Sequence, residues 1–442
     1  MMKNTMFFLL FALISNNVLA QNAHLKSGPM LGYSEMKEVA IWVQTDAQAE
    51  VFLRYWPINH PDSSHFTEVF FTQKQEGFTA LLVADTLEPG NTYQYEVFID
   101  NQPVLLPYPT QFSTQPLWKW RTEPPDFGFT MGSGTYINEK RYDRPGNGYG
   151  GGYQIFNSMK EVQPDFMLWL GDNIYLREPD WNSRTGIMHR YTHTRSLPEI
   201  QEFLASTHHY AILDDHDFGP NDSDRGFWNQ NETLRAFGLF WANPSYGVGE
   251  LKGAITAFQW SDCDFFLLDN RTYRTPNNRI TGEKTQLGEA QLQWLFDNLV
   301  ASYATFKFVV LGGQFLNDSG VYESYTNYGF DKERERIIKF VYDENIQNVV
   351  FLTGDVHYSE ISVLKAEGKP TIWDITSSPL NSGPNKNAIN QKNTLRLPES
   401  VISQRNFCLV NVTGTQAERL LLVSFFDSDG KLLYSYNIER EN

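Results

Sequence analysis

The stretch "LWLGDNIYL", residues 168–176, decides how the chain is read. Leu168, Trp169 and Leu170 form an apolar run with no polar alternation, the pattern of a strand covered on both faces. The run then delivers a carboxylate, Asp172, and a phenol, Tyr175. Four more segments follow the same rule. "GSGTY" (133–136 with its preceding Gly132) follows "FGFTM", "DDHDFGPND" (214–222) follows "YAIL", "GGQF" (312–315) follows "FKFVVL", and "TGDVH" (353–357) follows "NVVFL". Between these strands run helical patterns, the clearest being Leu292, Leu295, Phe296 and Leu299 at i, i+3, i+4 and i+7. Strands alternating with helices predict a layered α/β fold over residues 126–442. Ligands in such folds bind beyond the carboxyl ends of the strands, so the polar segments are expected to converge on one site.

What would converge is Asp172, Tyr175, Asp214, Asp215, His216, Asp217, Gln314, Asp355 and His357. Taken alone, "DDHD" reads as a solvated turn or helix cap. Taken together, so many carboxylates in one pocket repel one another unless a cation is bound, and oxygen donors with a few imidazoles suit hard or borderline metals.

Ahead of this region, residues 23–113 read as strand after strand with no helical pattern. In "NTYQYEVFID" the residues Tyr93, Tyr95, Val97 and Ile99 share one face, and "LEPGNTYQYEV" has the form of a tyrosine corner, so a small all-β sandwich of immunoglobulin-like type is expected. Residues 114–125, with Pro116, Pro124 and Pro125, read as an ordered linker. Residues 1–20 carry one lysine, an apolar run from Met6 to Ile14 and small residues before Gln21, the pattern of a cleaved signal peptide; a secreted or periplasmic protein with no transmembrane segment is expected. The net charge of −16 and the lack of Lys/Arg clusters exclude a nucleic-acid partner. Cys263 and Cys408 allow either one bridge or two buried thiols. "RLLLVSFFDSDGKLLYSYNI" predicts a C-terminal hairpin around Asp429-Gly430, and the Gly-rich "DRPGNGYGGGYQ" (143–154) a loop shaping the entrance to the site.

"GDNIY", "DDHD", "GDVH" and "LDNRTYR" (268–274), in this order, resemble the G-D-x-x-Y, D-D-H-[DE], G-D-x-H and L-D-x-R-x-x-R motifs of the alkaline phosphatase D group of metallophosphoesterases. The resemblance extends over nearly the whole chain after residue 20. It implies a four-layer αββα sandwich preceded by the immunoglobulin-like domain, and a secreted or periplasmic hydrolase of phosphate monoesters or diesters, on small-molecule, lipid or polymer substrates. Position by position it implies two metal ions, Fe³⁺ and Ca²⁺. Asp172 would bridge them, Tyr175 and His357 would bind the first, and Asp215 and Asp355 the second. His216 would be catalytic, facing the phosphate, and Asn221 would add a substrate contact. One departure stands out: the family places a cysteine ligand where this chain has Gly134. That loss predicts weaker selection for iron, with Zn²⁺, Mn²⁺ or Ca²⁺ as alternatives and Thr135 or water filling the gap. A second reading, a catalytically silent surface protein binding a phosphorylated or carbohydrate ligand, draws its support from Gly134; the remaining ligand positions, all intact, favour the enzyme.

Overall fold

The computed structural model describes residues 23–441, so the leader read in residues 1–20 lies outside them. Among the described residues, the strands form a nine-stranded sheet and two six-stranded ones. The centre of the nine-stranded sheet holds three parallel strands, Phe127–Gly132, Phe166–Leu170 and His208–Ile212. One six-stranded sheet holds four more, Cys263–Leu267, Phe306–Leu311, Val349–Thr353 and Ile372–Thr376. The two sheets pack face to face.

The strand of the opening stretch shows why its run is apolar throughout. Phe166, Leu168 and Leu170 point into the space between the sheets, while Met167 and Trp169 point out beneath helices Gln154–Glu161, Arg184–Arg195 and Gln230–Phe240. In the second sheet, Phe306, Phe308 and Val310 face inward, and Val309 and Leu311 lie beneath helices Glu289–Ala301 and Asp331–Asp343. Helix, sheet, sheet, helix is a four-layer αββα sandwich, each strand being buried on both faces. The layer between the sheets is aromatic: Phe129 stacks on Phe166 with centroids 5.0 Å apart and meets Phe265 and Phe308 edge-on at 5.5 and 5.6 Å. The C-terminal hairpin is present, Leu420–Asp427 pairing antiparallel with Leu432–Glu439 at the edge of the nine-stranded sheet.

The N-terminal strands form a two-sheet β-sandwich, with Val39, Ile41 and Val43 of one sheet packed against Val51, Leu53, Tyr55, Tyr95 and Val97 of the other. Tyr93 Oη accepts a hydrogen bond of 2.8 Å from the Glu88 N–H, the tyrosine-corner contact. One finding was not legible in the sequence. Strands Leu25–Ser34, Val39–Thr45 and Thr79–Ala84 belong to the nine-stranded sheet itself, joined through Leu31 beside His208. The all-β region therefore extends the main sheet and shares a layer with it. Segment 114–125 is ordered against this junction, Gln115 Nε2 donating to the carbonyls of Ser34 (2.8 Å) and Gln259 (2.9 Å). Cys263 and Cys408 are both free and buried, so the bridge is not formed. No helix among the described residues is long and apolar enough to cross a membrane.

Phe129 is wholly buried within the inter-sheet layer. Phe129→Ala is expected to destabilise the protein by about 3–5 kcal/mol, the cost of truncating a buried phenylalanine and leaving a cavity, measured by chemical denaturation. A loss below about 1 kcal/mol would mean that the two sheets do not depend on this contact.

Candidate metal centre

The parallel strands of both sheets end at one edge of the sandwich, and their loops meet there. Residues 171–175 follow Leu170, 214–222 follow Ile212 by way of Leu213, and 354–357 follow Thr353. Three groups of donors form among the described residues: Asp172, Asp215 and His216; Asp214, Asp215 and Asp355; and Asp215, Asp222 and Glu323, with ligand atoms within 4.8 Å of one another in each. Asp215 belongs to all three. The close approach needs Gly354, whose Cβ, were it present, would lie 2.7 Å from Ser133 Cβ and 2.8 Å from the Leu170 carbonyl. Asp172, Asp355 and His357 all adopt left-handed backbone, with φ of 51°, 66° and 61°. Non-glycine residues rarely do so, and such strain gathers at functional sites.

Burial, followed by the charges of Asp215, Asp214 and Asp355, pushes the Asp172 carboxyl well above the usual carboxylate range. Burial and the charges of Asp214, Glu323 and Asp215 do the same to Asp355, whose carboxyl is enclosed although the residue keeps an exposed edge. For Asp215 burial acts upward too, but His216, Arg271 and the Asp222 N–H outweigh it and the carboxyl lies below its ordinary value. One Asp215 oxygen accepts from Asp222 N at 2.6 Å; the other, Oδ1, is buried with no partner. An orphaned carboxylate oxygen among carboxyls that resist ionisation fits a cation, which would satisfy the first and reverse the shifts of the others.

Tyr175 and His357 form a second part of the site, with Tyr175 Oη 3.1 Å from His357 Nε2. His357 Nδ1 lies 2.7 Å from the Gly383 carbonyl and 2.9 Å from Tyr149 Oη. A carbonyl oxygen can only accept, so the ring proton sits on Nδ1 and Nε2 presents its lone pair inward, the arrangement of a metal-binding histidine. Burial pulls the His357 imidazole down to about 4, which keeps it neutral. Burial, with Asp172 and Tyr149, holds the Tyr175 phenol well above its ordinary value, so it would ionise only beside a cation.

The other residues singled out in the sequence divide between site and scaffold. His216 lies over the Tyr175 ring, centroids 4.3 Å apart, and with Asn221 lines a cavity of about 460 Å³. Its imidazole is within 4.8 Å of Asp172 and Asp215 donor atoms, so it is close enough to the carboxylates for either a substrate or a metal contact. Asp217 caps the single helical turn Asp215–Phe218, accepting from the N–H groups of Asp214 (3.0 Å) and Asn173 (3.2 Å), and has no place among the clustered donors. Gln314 does not reach the site: Glu360 and Thr376 accept from its amide at 2.8 and 3.0 Å. Thr135 Oγ1 is buried without a partner, while its N–H donates 2.8 Å to the Asp172 carbonyl.

Further contributors come from two segments singled out in the sequence, "LDNRTYR" and the Gly-rich loop, and from Arg177, Trp181 and Glu323, which no motif marks. Arg271, wholly buried, pairs with Asp214 and with Glu323, and Arg274 joins Glu323 at 3.0 Å. Asn270 Nδ2 adds 2.9 Å to Asp214. The Gly-rich loop supplies Asp143, Arg144, Pro145, Asn147 and Tyr149 to the cavity wall, and Tyr136, Arg177 and Trp181 complete it. Arg177 is committed to Asp143 at 2.8 Å and to the face of Tyr136 at 4.1 Å.

Residues 140–416 match the sequence profile of the PhoD-like phosphatase family, and residues 22–117 that of a domain of unknown function, DUF7800. Alkaline phosphatase D of Bacillus subtilis (strain 168) is 25% identical over 338 residues, covering 65% of this chain and 54% of that protein. The chain thus aligns with about half the length of this relative. A solved structure of PhoD superposes with a TM-score of 0.74 at 17% identity, over 95% of this chain and 92% of that one. A purple acid phosphatase from yellow lupin (Lupinus luteus) seeds gives 0.69 at 12% identity, over 94% and 75%. At these identities the two structures speak for the fold.

Because Asp172 is held against its preferred protonation, its removal should act in opposite directions with and without metal. In excess chelator Asp172→Asn is expected to melt no lower than wild type, and to gain about 2 °C or more from relieved repulsion. With Mn²⁺ or Ca²⁺ added, wild type should gain melting temperature and the variant should gain little. Equal gains in calorimetry would show that Asp172 binds no ion.

Proposed function

The chain belongs to the PhoD-like phosphatase family, and from that premise we propose that it is a metal-dependent hydrolase of phosphate esters. The observation that carries the reading is the convergence of Asp172, Asp214, Asp215 and Asp355 near Tyr175, His216 and His357, with Tyr175 and His216 lining a cavity of about 460 Å³. Tyr175, His357 and Asp172 would hold one ion, and Asp215 and Asp355, sharing Asp172, a second. Fe³⁺ and Ca²⁺ remain the identities implied by resemblance. Bound ions would supply positive charge for the phosphoryl oxygens and acidify a water molecule for in-line attack on phosphorus.

The chain's own residues do the rest. Asp214 is kept in place by Arg271 and Asn270 and so orients the turn that presents Asp215 and His216. His216, on the cavity side of Tyr175, would donate a hydrogen bond to a non-bridging phosphoryl oxygen or a proton to the departing oxygen. Asn221 would hold a second phosphoryl oxygen through its side-chain amide. Tyr136, Tyr149 and Trp181 form an aromatic wall and Arg144 adds positive charge, features suited to an organic leaving group attached to an anionic phosphate. Monoesters and diesters both satisfy this description. The leader read in residues 1–20 supports export, with the reaction taking place outside the cytoplasm.

The purified protein should release p-nitrophenol from p-nitrophenyl phosphate or its bis ester, and lose that activity on chelation. His216→Ala should lower turnover about 10²- to 10⁴-fold, the usual contribution of a positioned acid, with metal content near wild type. Loss of one metal equivalent in this variant would move His216 from the substrate to the metal.

A further inference from the structure

Gly134 lies at the edge of the metal centre with φ of 76°. A Cβ added there would stand 2.8 Å from Ser382 Oγ and 3.1 Å from Pro379 Cβ. The space that a side chain at 134 would need is therefore filled from another loop, by the hydroxyl of Ser382. That residue is wholly buried.

Its position is fixed from several sides. The N–H groups of Asn381 and Ser382 both donate to the Gly134 carbonyl, at 3.2 and 3.0 Å. The Asn381 side chain clasps the backbone of Tyr136, accepting from its N–H at 2.8 Å and donating to its carbonyl at 3.0 Å. The Ser382 carbonyl accepts from Arg405 Nε at 3.0 Å. Backbone so held leaves the hydroxyl little freedom of place. Ser382 Oγ stands 3.5 Å from His357 Nε2, the atom that Tyr175 Oη approaches to 3.1 Å from another direction.

As a hydrogen bond, a separation of 3.5 Å is poor. As a spacing between two donors on one ion it is ordinary, because ligands bound at about 2.0–2.2 Å stand roughly 2.8–3.6 Å apart between square and tetrahedral angles. The Tyr175 phenol and the Ser382 hydroxyl thus both stand at ligand-to-ligand spacing from the inward lone pair of His357. We propose that Ser382 Oγ is a direct ligand of the first metal ion, taking the coordination position that Gly134 cannot fill. The assignment rests on reading Asp172, Tyr175 and His357 as that ion's site. It makes the donor set wholly oxygen and nitrogen, which favours hard and borderline ions over soft ones. It also explains why a cysteine could not simply be returned to position 134: the left-handed backbone and the Ser382 hydroxyl both oppose a side chain there.

The test compares wild type, Ser382→Ala, Ser382→Cys and Asp172→Asn, each saturated with Mn²⁺, with release into excess EDTA followed by elemental analysis and folding checked by circular dichroism. In Ser382→Ala one ion should leave about 10- to 100-fold faster than from wild type, while the other leaves at the wild-type rate. Ser382→Cys, which keeps a donor atom in place, should retain that ion longer than Ser382→Ala. The proposal is overturned, with the metal reading intact, if Ser382→Ala releases both ions at wild-type rates while Asp172→Asn is depleted. It is equally overturned if Ser382→Cys and Ser382→Ala behave alike. Wild type that takes up neither Mn²⁺ nor Fe³⁺ would overturn the metal reading and this proposal together.

Discussion

Mutual repulsion among buried carboxylates is the constraint on which the rest of this structure depends. Donor atoms of Asp214, Asp215 and Asp355 lie within 4.8 Å of one another, and Asp172 joins Asp215 at similar range. Two like charges at that separation repel by about 3 kcal/mol at an effective dielectric constant of about 20. Several such pairs together rival the whole stability of a folded domain, about 5–15 kcal/mol. Arg271 pairs with Asp214, but it is shared with Glu323, and among the described residues no lysine or arginine pairs directly with Asp172 or Asp355. The protein can carry this arrangement as protonated acids or around bound cations, and the orphaned Asp215 Oδ1 together with the inward lone pair of His357 favours the second.

The αββα layering is what makes the arrangement geometrically available. Strands covered on both faces end together, so loops from two sheets and distant parts of the chain arrive at one edge. The aromatic layer around Phe129, Phe166, Phe265 and Phe308 holds the sheets in register and keeps those loop origins fixed. Rigid strand ends can then support the left-handed backbone at Asp172, Asp355 and His357, conformations that cost of order 1–3 kcal/mol each when the surroundings do not enforce them.

Much of this was legible in the sequence because both signals are local. A continuous apolar run ending in Gly-Asp or Asp-Asp marks a buried strand and the residues at its tip, which is why Asp172, Tyr175, Asp214, Asp215, His216, Asp217, Gln314, Asp355 and His357 are expected at one edge; choosing ligands among them rests on the family resemblance. Which sheet a strand joins is not local: nothing in "LKSGPMLGYS" says that Leu31 will lie beside His208 and extend the main sheet. Nor can spacing separate Asp215, with a free oxygen in the site, from Asp217, two residues later, which satisfies backbone N–H groups. Gln314 has the right position after a strand, but buried Glu360 and Thr376 claim its amide. Helix Arg184–Arg195 gives a weak sequence signal because its buried face carries only Ile187, Met188 and Tyr191 as apolar residues, beside Arg190 and Arg195. Tyr149, Ser382 and Gly383 reach the site from loops with no repeating pattern, and only the folded chain shows that Ser382 fills the space beside Gly134.

The central claim is that this edge of the sandwich is a metal centre, and diffraction from crystals of the metal-loaded protein at the absorption edge of Mn or Fe tests it most directly. The account predicts anomalous density within about 2.0–2.4 Å of Tyr175 Oη and His357 Nε2, and a second ion, anomalous or calcium-like, at about 2.0–2.6 Å from Asp215 and Asp355. Crystals soaked to saturation that show no density among these residues, with their carboxyl groups hydrogen-bonded to one another instead, would contradict it.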